Sequence, residues 1–564
     1  MSEFMRKIRV RPVLSSALIA AVIGLPLITF SSLVAFDPPF AAELPTDLGS
    51  ADFSLSPAMI SMLRVIIWFG VRVLFLLLFA VAVYYVRRFF AKVHTGDPVY
   101  LRWLFVGLAL TAVNIVVLLL IWPGLWIYDE YYVLTDVQQN WLGTWQHVFT
   151  SLYFGVAMTL IPTPAGILII QSVFGSFVAG YIVARSWSIL KRPQLAYLLI
   201  VPFLFFPVLL YVQNPLRVTM MSFIELAVLF RVVAIHLRRE LVTDRYREFF
   251  FLSTAAALAA FWRSEATLLL VLIPVLAISL RVFQPRKAGV RVRTAIAALV
   301  ATGLAFTGIA GTSVATASPR YAITAVINPL SAMLQGGELG GANLERNLKA
   351  IDRVVDVKKV KQQPKNIYNI PAFFTAGIVR DGYRSHLTEF ELAYASLVAE
   401  NPGAFLDARM QTFLATNAMG PIPVNKTQGW DFLISDVAQH YKDDFEQRNP
   451  LAVPISPEVR HAAAAALLTV SHDAEFTALT PVVWNVTPVL LLVALAFVAA
   501  LVLRRWMFAL VFGLLAAQAG ITFLTAPANH FMYYFAVYLV GWVMLVLFTL
   551  SADTRGRRSS PGRP

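Results

Sequence analysis

Apolar runs recur along the chain, most of them some twenty residues long and each closed by a short polar or basic stretch, a rhythm that predicts helices crossing a membrane. The first run, Val13 to Phe36, follows Arg6, Lys7, Arg9 and Arg11. It is longer than the apolar core of a signal peptide, and more runs follow, so it reads as an uncleaved first helix with a cytoplasmic N-terminus. Further runs cover Met59 to Val86, Leu101 to Trp122, Leu160 to Val183, Leu195 to Val212, Met220 to Ile235, Phe249 to Phe261, Thr267 to Leu280 and Thr294 to Ala315. Three more, Val482 to Leu503, Phe508 to Leu524 and Phe531 to Leu550, close the chain. About twelve spans result, and the expected class is an all-α polytopic membrane protein.

The long polar region between the ninth and tenth runs divides the chain. Residues 1–315 form an N-terminal transmembrane module, 316–480 a mainly helical extracytoplasmic domain, 481–550 the C-terminal transmembrane helices and 551–564 a basic, disordered cytoplasmic tail. Within 316–480 helical patterns run over Leu344 to Val357, Leu387 to Glu400, Pro402 to Thr416 and Pro457 to Leu468. The Asn401-Pro402 step suits a helix start. No internal repeat stands out, nor an inverted pair of broken helices of the transporter kind.

Composition strengthens this picture. Of 564 residues, 58% are apolar, and the mean hydropathy of +0.69 exceeds that of soluble domains. There is no cysteine, hence no disulfide or thiol chemistry. A formal charge of +14 could mean a nucleic-acid partner. The basic residues, however, sit in clusters between apolar runs, as cytoplasmic loops of a bilayer protein require, so membrane lipids and not nucleic acid are the expected surroundings.

Candidate chemistry gathers in Trp122 to Thr150, where Asp129 and Glu130 stand just beyond the third run, on the outer side. A carboxylate there loses part of its solvation and can act as general base, metal ligand or recognition group. The plainer alternative is a solvated pair beside an aromatic belt. Two arginines, Arg217 in QNPLR and Arg263 in FWRSEA, fall in the short outer turns. Their guanidinium forks match phosphate oxygens. Alternatively, Arg263 pairs with Glu265 and Arg217 reaches lipid headgroups. Glu225 is a carboxylate inside the sixth run. His147 lies in Trp141 to Tyr153, whose aromatic spacing predicts a helix flat on the interface. No metal-site spacing, P-loop, GxGxxG or GxSxG occurs, which argues against a nucleotide-driven enzyme or pump. Any donor must be activated elsewhere.

Together these features resemble the GT-C superfamily of integral-membrane glycosyltransferases, and more narrowly a bacterial branch of it. The residues that carry the likeness are Trp122-Pro123-Gly124, Asp129-Glu130 in YDEYY, Gln138-Gln139, Trp145-Gln146-His147, and Ala399-Glu400-Asn401-Pro402 leading into FLDARMQTF. The chain departs from the branch at His147-Val148, where His-Pro is common, and at Asn529 to Tyr534, where a basic residue with tyrosine is usual. The resemblance implies a polyprenyl-phosphate sugar donor, a glycan or glycolipid acceptor, and a site on the extracytoplasmic face of a bacterial plasma membrane, with both termini cytoplasmic. It implies Asp129 as base, with Glu130 orienting the acceptor or holding a divalent cation. Arg217 and Arg263 would meet the donor phosphate, and His147, Glu265, His530 and Tyr533 would line the site. A transporter or flippase of lipid-linked sugars is the alternative.

Overall fold

A computed structural model describes residues 2–39, 56–143, 147–238, 242, 244–280, 320–336, 339–363, 377–419, 439–471, 473 and 475–552. The run Thr294 to Ala315, Trp145-Gln146 and the tail from residue 553 lie outside the described residues. Among those described, helices dominate and no strand forms, the only β pairings being isolated bridges at Val355–Val379 and Val470–Phe476. The chain is an all-α, multi-pass membrane protein. Seven described helices are long and apolar enough to cross a membrane, or eight if one bent pair counts as a span. Three shorter apolar helices, Val148–Leu160, Glu265–Ser279 and Phe535–Leu550, accompany them.

Local chemistry sets several helix starts. α1 (Ser2–Val34), α2 (Pro57–His94) and α3 (Pro98–Leu120) come first. The Ser56 hydroxyl accepts from the Met59 amide at 3.3 Å, and the Asp97 carboxylate from the Val99 amide at 3.0 Å. Each helix then opens on proline, which has no N–H to leave unsatisfied. α4 (Tyr128–Gln138) and α5 (Val148–Leu160) are short, and α6 (Pro164–Ile189) is again long.

The run Leu195 to Val212, expected as one span, is broken. A 3-10 helix, Pro193–Leu204, meets α7 (Phe206–Val212) at 68°. Pro202 and Pro207 flank the break, and neither can donate the amide that a continuous helix needs. α8 (Arg217–Leu237), α9 (Arg245–Trp262), a 3-10 turn (Ser264–Val271) and α10 (Leu272–Ser279) complete the N-terminal bundle.

Beyond it, α11 (Arg320–Gly336), α12 (Leu344–Asp352), α13 (Val357–Gln362), α14 (Leu387–Glu400) and α15 (Pro402–Thr416) enclose a core of their own, including Ile327, Leu330, Ile351, Val360, Phe390 and Leu397. The helix expected over Leu344 to Val357 stops at Asp352, and α13 restarts because Asp356 caps the Lys359 amide at 3.0 Å. α16 (Gln439–Arg448) and α17 (Pro457–Leu468) follow, then α18 (Thr480–Val483), α19 (Thr487–Val502), α20 (Trp506–Thr525) and α21 (Phe535–Leu550).

The main core joins α6, α8, α9, α10, α20 and α21 through residues such as Ile182, Phe230, Ala256, Leu272, Phe512 and Leu539. α8 is the most enclosed span, whereas α1, α2 and α3 turn most of their surface outward. Bare apolar surface is stable there because the surrounding solvent is lipid. The two ends of the bundle differ. One gathers Arg87 on Ser15 and Ser16, Arg247 on Tyr85 and Arg505 on Ser551. The other gathers the loops that carry the candidate site.

Candidate active site

The site is built on the turn that ends α3. The Trp122–Pro123 bond is cis and Gly124 has φ 103°. A Cβ at Gly124 would run into Leu168 and stand 3.0 Å from the Gln213 carbonyl, so only glycine fits. Leu125 N–H donates to Gln213 O at 2.8 Å, and the Gln213 amide donates to Asn114 O at 3.1 Å. The buried Gln171 amide spans the carbonyls of Tyr211, Val212 and Asn214 at 3.2, 3.0 and 2.8 Å. From α17, Arg460 donates to Gly124 O at 2.9 Å. The loop leading to the acids is thereby fastened to the loop leading to Arg217.

Asp129 and Glu130 occupy the first turn of α4, where the helix dipole favours carboxylates. Glu130 is fully buried and Asp129 partly exposed. Successive residues on a helix point about 100° apart, so the two acids do not present a joint face. Among the described residues no three His, Cys, Asp or Glu side chains gather as a metal site. With Glu130 enclosed and Asp129 partly exposed, the two acids do not offer joint ligands to one divalent cation.

The far end of α4 is held by residues the hydropathy pattern hid. Arg64 and Arg72 lie within α2 and are almost wholly buried. Arg64 Nε donates to Gln139 O at 2.9 Å, and Arg72 Nη1 reaches Asn140 Oδ1 at 3.3 Å with its guanidinium 4.2 Å from the Phe36 ring centroid. Asn140, at φ 57°, donates in turn to Asp37 O at 2.6 Å, while the Gln138 amide donates to Asn449 at 2.9 Å. A charge inside an apolar run was the signal, because such residues persist only where a polar partner awaits them.

Most of the remaining expected residues converge. His147 caps α5, its Nδ1 accepting from the Phe149 amide at 3.3 Å, so this helix begins at Val148 and not at Trp141. Burial first, and the Arg217 charge second, push the imidazole down to about 4. Arg217 also acts electrostatically on Glu265. Glu265 is gripped by Arg263 through two bonds, Nη2 to Oε1 at 2.5 Å and Nε to Oε2 at 3.0 Å. The Arg263 guanidinium stands 5.9 Å from the Tyr533 ring centroid, and Tyr533 lies 6.0 Å from the His530 ring. Enclosure pushes His530 down to about 4. The Trp262 indole ties α9 to Thr150 on α5 at 3.0 Å. The loop before the acids meets the loop before Arg217 at the Leu125–Gln213 bond.

Arg409 on α15 is a further buried cation that the pattern did not mark. It donates to Phe523 O at 2.7 Å and Ala526 O at 2.6 Å, capping α20, and its charge acts on Tyr533 and Tyr534. α15 is thus pinned to the end of α20, just before the loop that supplies Tyr533.

No family model matches the chain, and neither curated proteins nor solved structures yield a match.

Proposed function

We propose that the protein is a GT-C-like membrane glycosyltransferase with about twelve spans, moving a sugar from a polyprenyl-phosphate donor to an extracytoplasmic glycan or glycolipid acceptor. The observation that carries this reading is the grouping of Arg217 with His147 and Glu265, and of Arg263 with Glu265 and Tyr533, in loops of which one is bonded to the loop before Asp129. The two guanidinium groups offer donor forks suited to a phosphate headgroup. The donor's tail would stay in lipid, which is why a nucleotide site is not needed.

In this mechanism the acceptor hydroxyl gives its proton to Asp129 as its oxygen attacks the anomeric carbon. The bond from that carbon to the phosphate oxygen breaks, and the polyprenyl phosphate leaves with the electron pair. The configuration inverts. Asp129 suits the base because it is partly exposed, whereas buried Glu130 can act only through its neighbours. Arg217, partly exposed, would meet the departing phosphate, and Arg263, already held by Glu265, would add to the field around it. Asp129→Asn should lower transfer by about 10²- to 10⁴-fold at unchanged expression. Turnover close to wild type would remove Asp129 as the base.

One observation favours transport of lipid-linked sugars as the second reading. The broken pair from Pro193 to Val212 ends at the loop preceding Arg217, and substrate sites of many transporters lie at such breaks. Acceptor-dependent sugar transfer by the purified protein in detergent supports the enzyme. Movement of lipid-linked sugar across a proteoliposome bilayer without transfer supports the transporter.

A further inference from the structure

We infer that residues 449–459, between α16 and the first turn of α17, form a membrane-interface anchor seated in the leaflet that surrounds the ends of α1 and α3. The segment reads NPLAVPISPEV, with no charge between Arg448 and Glu458. Leu451 and Ile455 are 70% and 72% exposed, and Val453 and Val459 nearly half. Between them Ala452 is fully buried, so the apolar side chains are turned outward while the backbone is held from within. Pro450, Pro454 and Pro457 each remove a backbone N–H that would otherwise need a partner away from water.

Three contacts set the level of the segment. Trp122, two residues past the end of α3, donates its indole N–H to Leu451 O at 3.1 Å. Arg448 lies 4.0 Å from Asp37, three residues past the end of α1. Asn449 accepts from Gln138 at the end of α4. α1 and α3 are among the spans with the most outward-facing surface, so the surroundings of their ends are lipid and not protein. Tryptophan at a helix end is also a usual marker of the headgroup level. Outward leucine, isoleucine and valine at that level bury apolar area in the headgroup–acyl boundary, while Arg448 and Glu458 bracket them at the polar edge. The anchor would keep the extramembrane helices at a fixed height above the turn that carries Asp129, and it holds whether the site transfers or transports sugars.

The chain has no cysteine, so single reporters can be placed cleanly. Leu451→Cys and Ile455→Cys, each labelled with a polarity-sensitive fluorophore in nanodiscs, are compared with Glu345→Cys, an exposed position on α12. Lipids carrying a nitroxide near the headgroup should quench roughly half the emission at 451 and 455, as expected for side chains at the headgroup–acyl boundary. They should leave 345 unaffected, while aqueous iodide should quench only 345. Iodide quenching of 451 and 455 without lipid quenching would overturn the anchor. So would shielding from both quenchers, which would mean that protein covers the segment.

Discussion

Two arginine–glutamate pairs share one geometry and differ in setting. Arg231 and Glu248 join α8 to α9 at 2.5 and 2.8 Å, and Arg263 and Glu265 meet within a single turn at 2.5 and 3.0 Å. The first pair ties two helices together at the basic end of the bundle. The second lies in the loops that carry the candidate residues, where the Arg217 charge also acts on Glu265 and the Tyr533 ring stands beside Arg263. Bidentate geometry alone therefore does not separate the two pairs; the groups around each do.

The sharpest way to break this comparison is to remove each arginine. Arg231→Met and Arg263→Met each remove the bidentate partner of a largely buried carboxylate and should cost up to about 3–5 kcal/mol of stability, read as thermal unfolding in nanodiscs. Only Arg263→Met should also lower sugar turnover per folded molecule. An equal loss of turnover in Arg231→Met would erase the distinction.

Gly124→Ala tests whether the site end depends on its turn. Strain at φ 103° and collision with Leu168 should cost about 2–3 kcal/mol and reduce turnover, because the turn positions both loops. A variant of wild-type stability would show that the loop tolerates another path.

The site end should also answer to pH. His147 and His530 titrate near 4 in the fold, against about 6.5 when unfolded. Between those values the unfolded chain binds more protons, so stability should fall as pH drops from 6.5 towards 4 and level off below. Each ring should contribute about 1–2 kcal/mol after allowance for solvent screening. His147→Gln with His530→Gln should flatten unfolding measured from pH 7 to 4.5, and an unchanged slope would place the response elsewhere. The smallest effect belongs to Arg353–Glu389, an ion pair 46% and 55% exposed. Arg353→Ala should change stability by no more than about 0.5 kcal/mol in the same unfolding assay.

The long helices were legible in the sequence because their signal is local. α14, α15 and α17 run over the ranges their apolar periodicity and proline starts marked, and the first three spans differ from expectation mainly at their ends. The break at Phe205 was missed because the hydropathy of Leu195 to Val212 is continuous across it. Arg64 and Arg72 were absorbed into an apolar run whose average they barely altered. The candidate residues were marked by type and by their place between apolar runs, but the Arg263–Glu265 grip and the capping role of His147 needed coordinates.

By itself, the sequence determined an all-helical membrane chain, the places where several helices start, and a short set of charged residues at one end of its spans. These follow from side-chain transfer free energies and from caps acting within a few residues. Only the tertiary structure decided that Glu130 is buried while Asp129 keeps open surface, that Arg64 and Arg72 clasp residues 139 and 140, and that Arg217 acts on Glu265 while Arg263 stands beside Tyr533. Those facts depend on contacts between segments from tens to hundreds of residues apart. The same local pattern is compatible with many packings, and the buried polar groups select among them because each must find its partner before it can leave water.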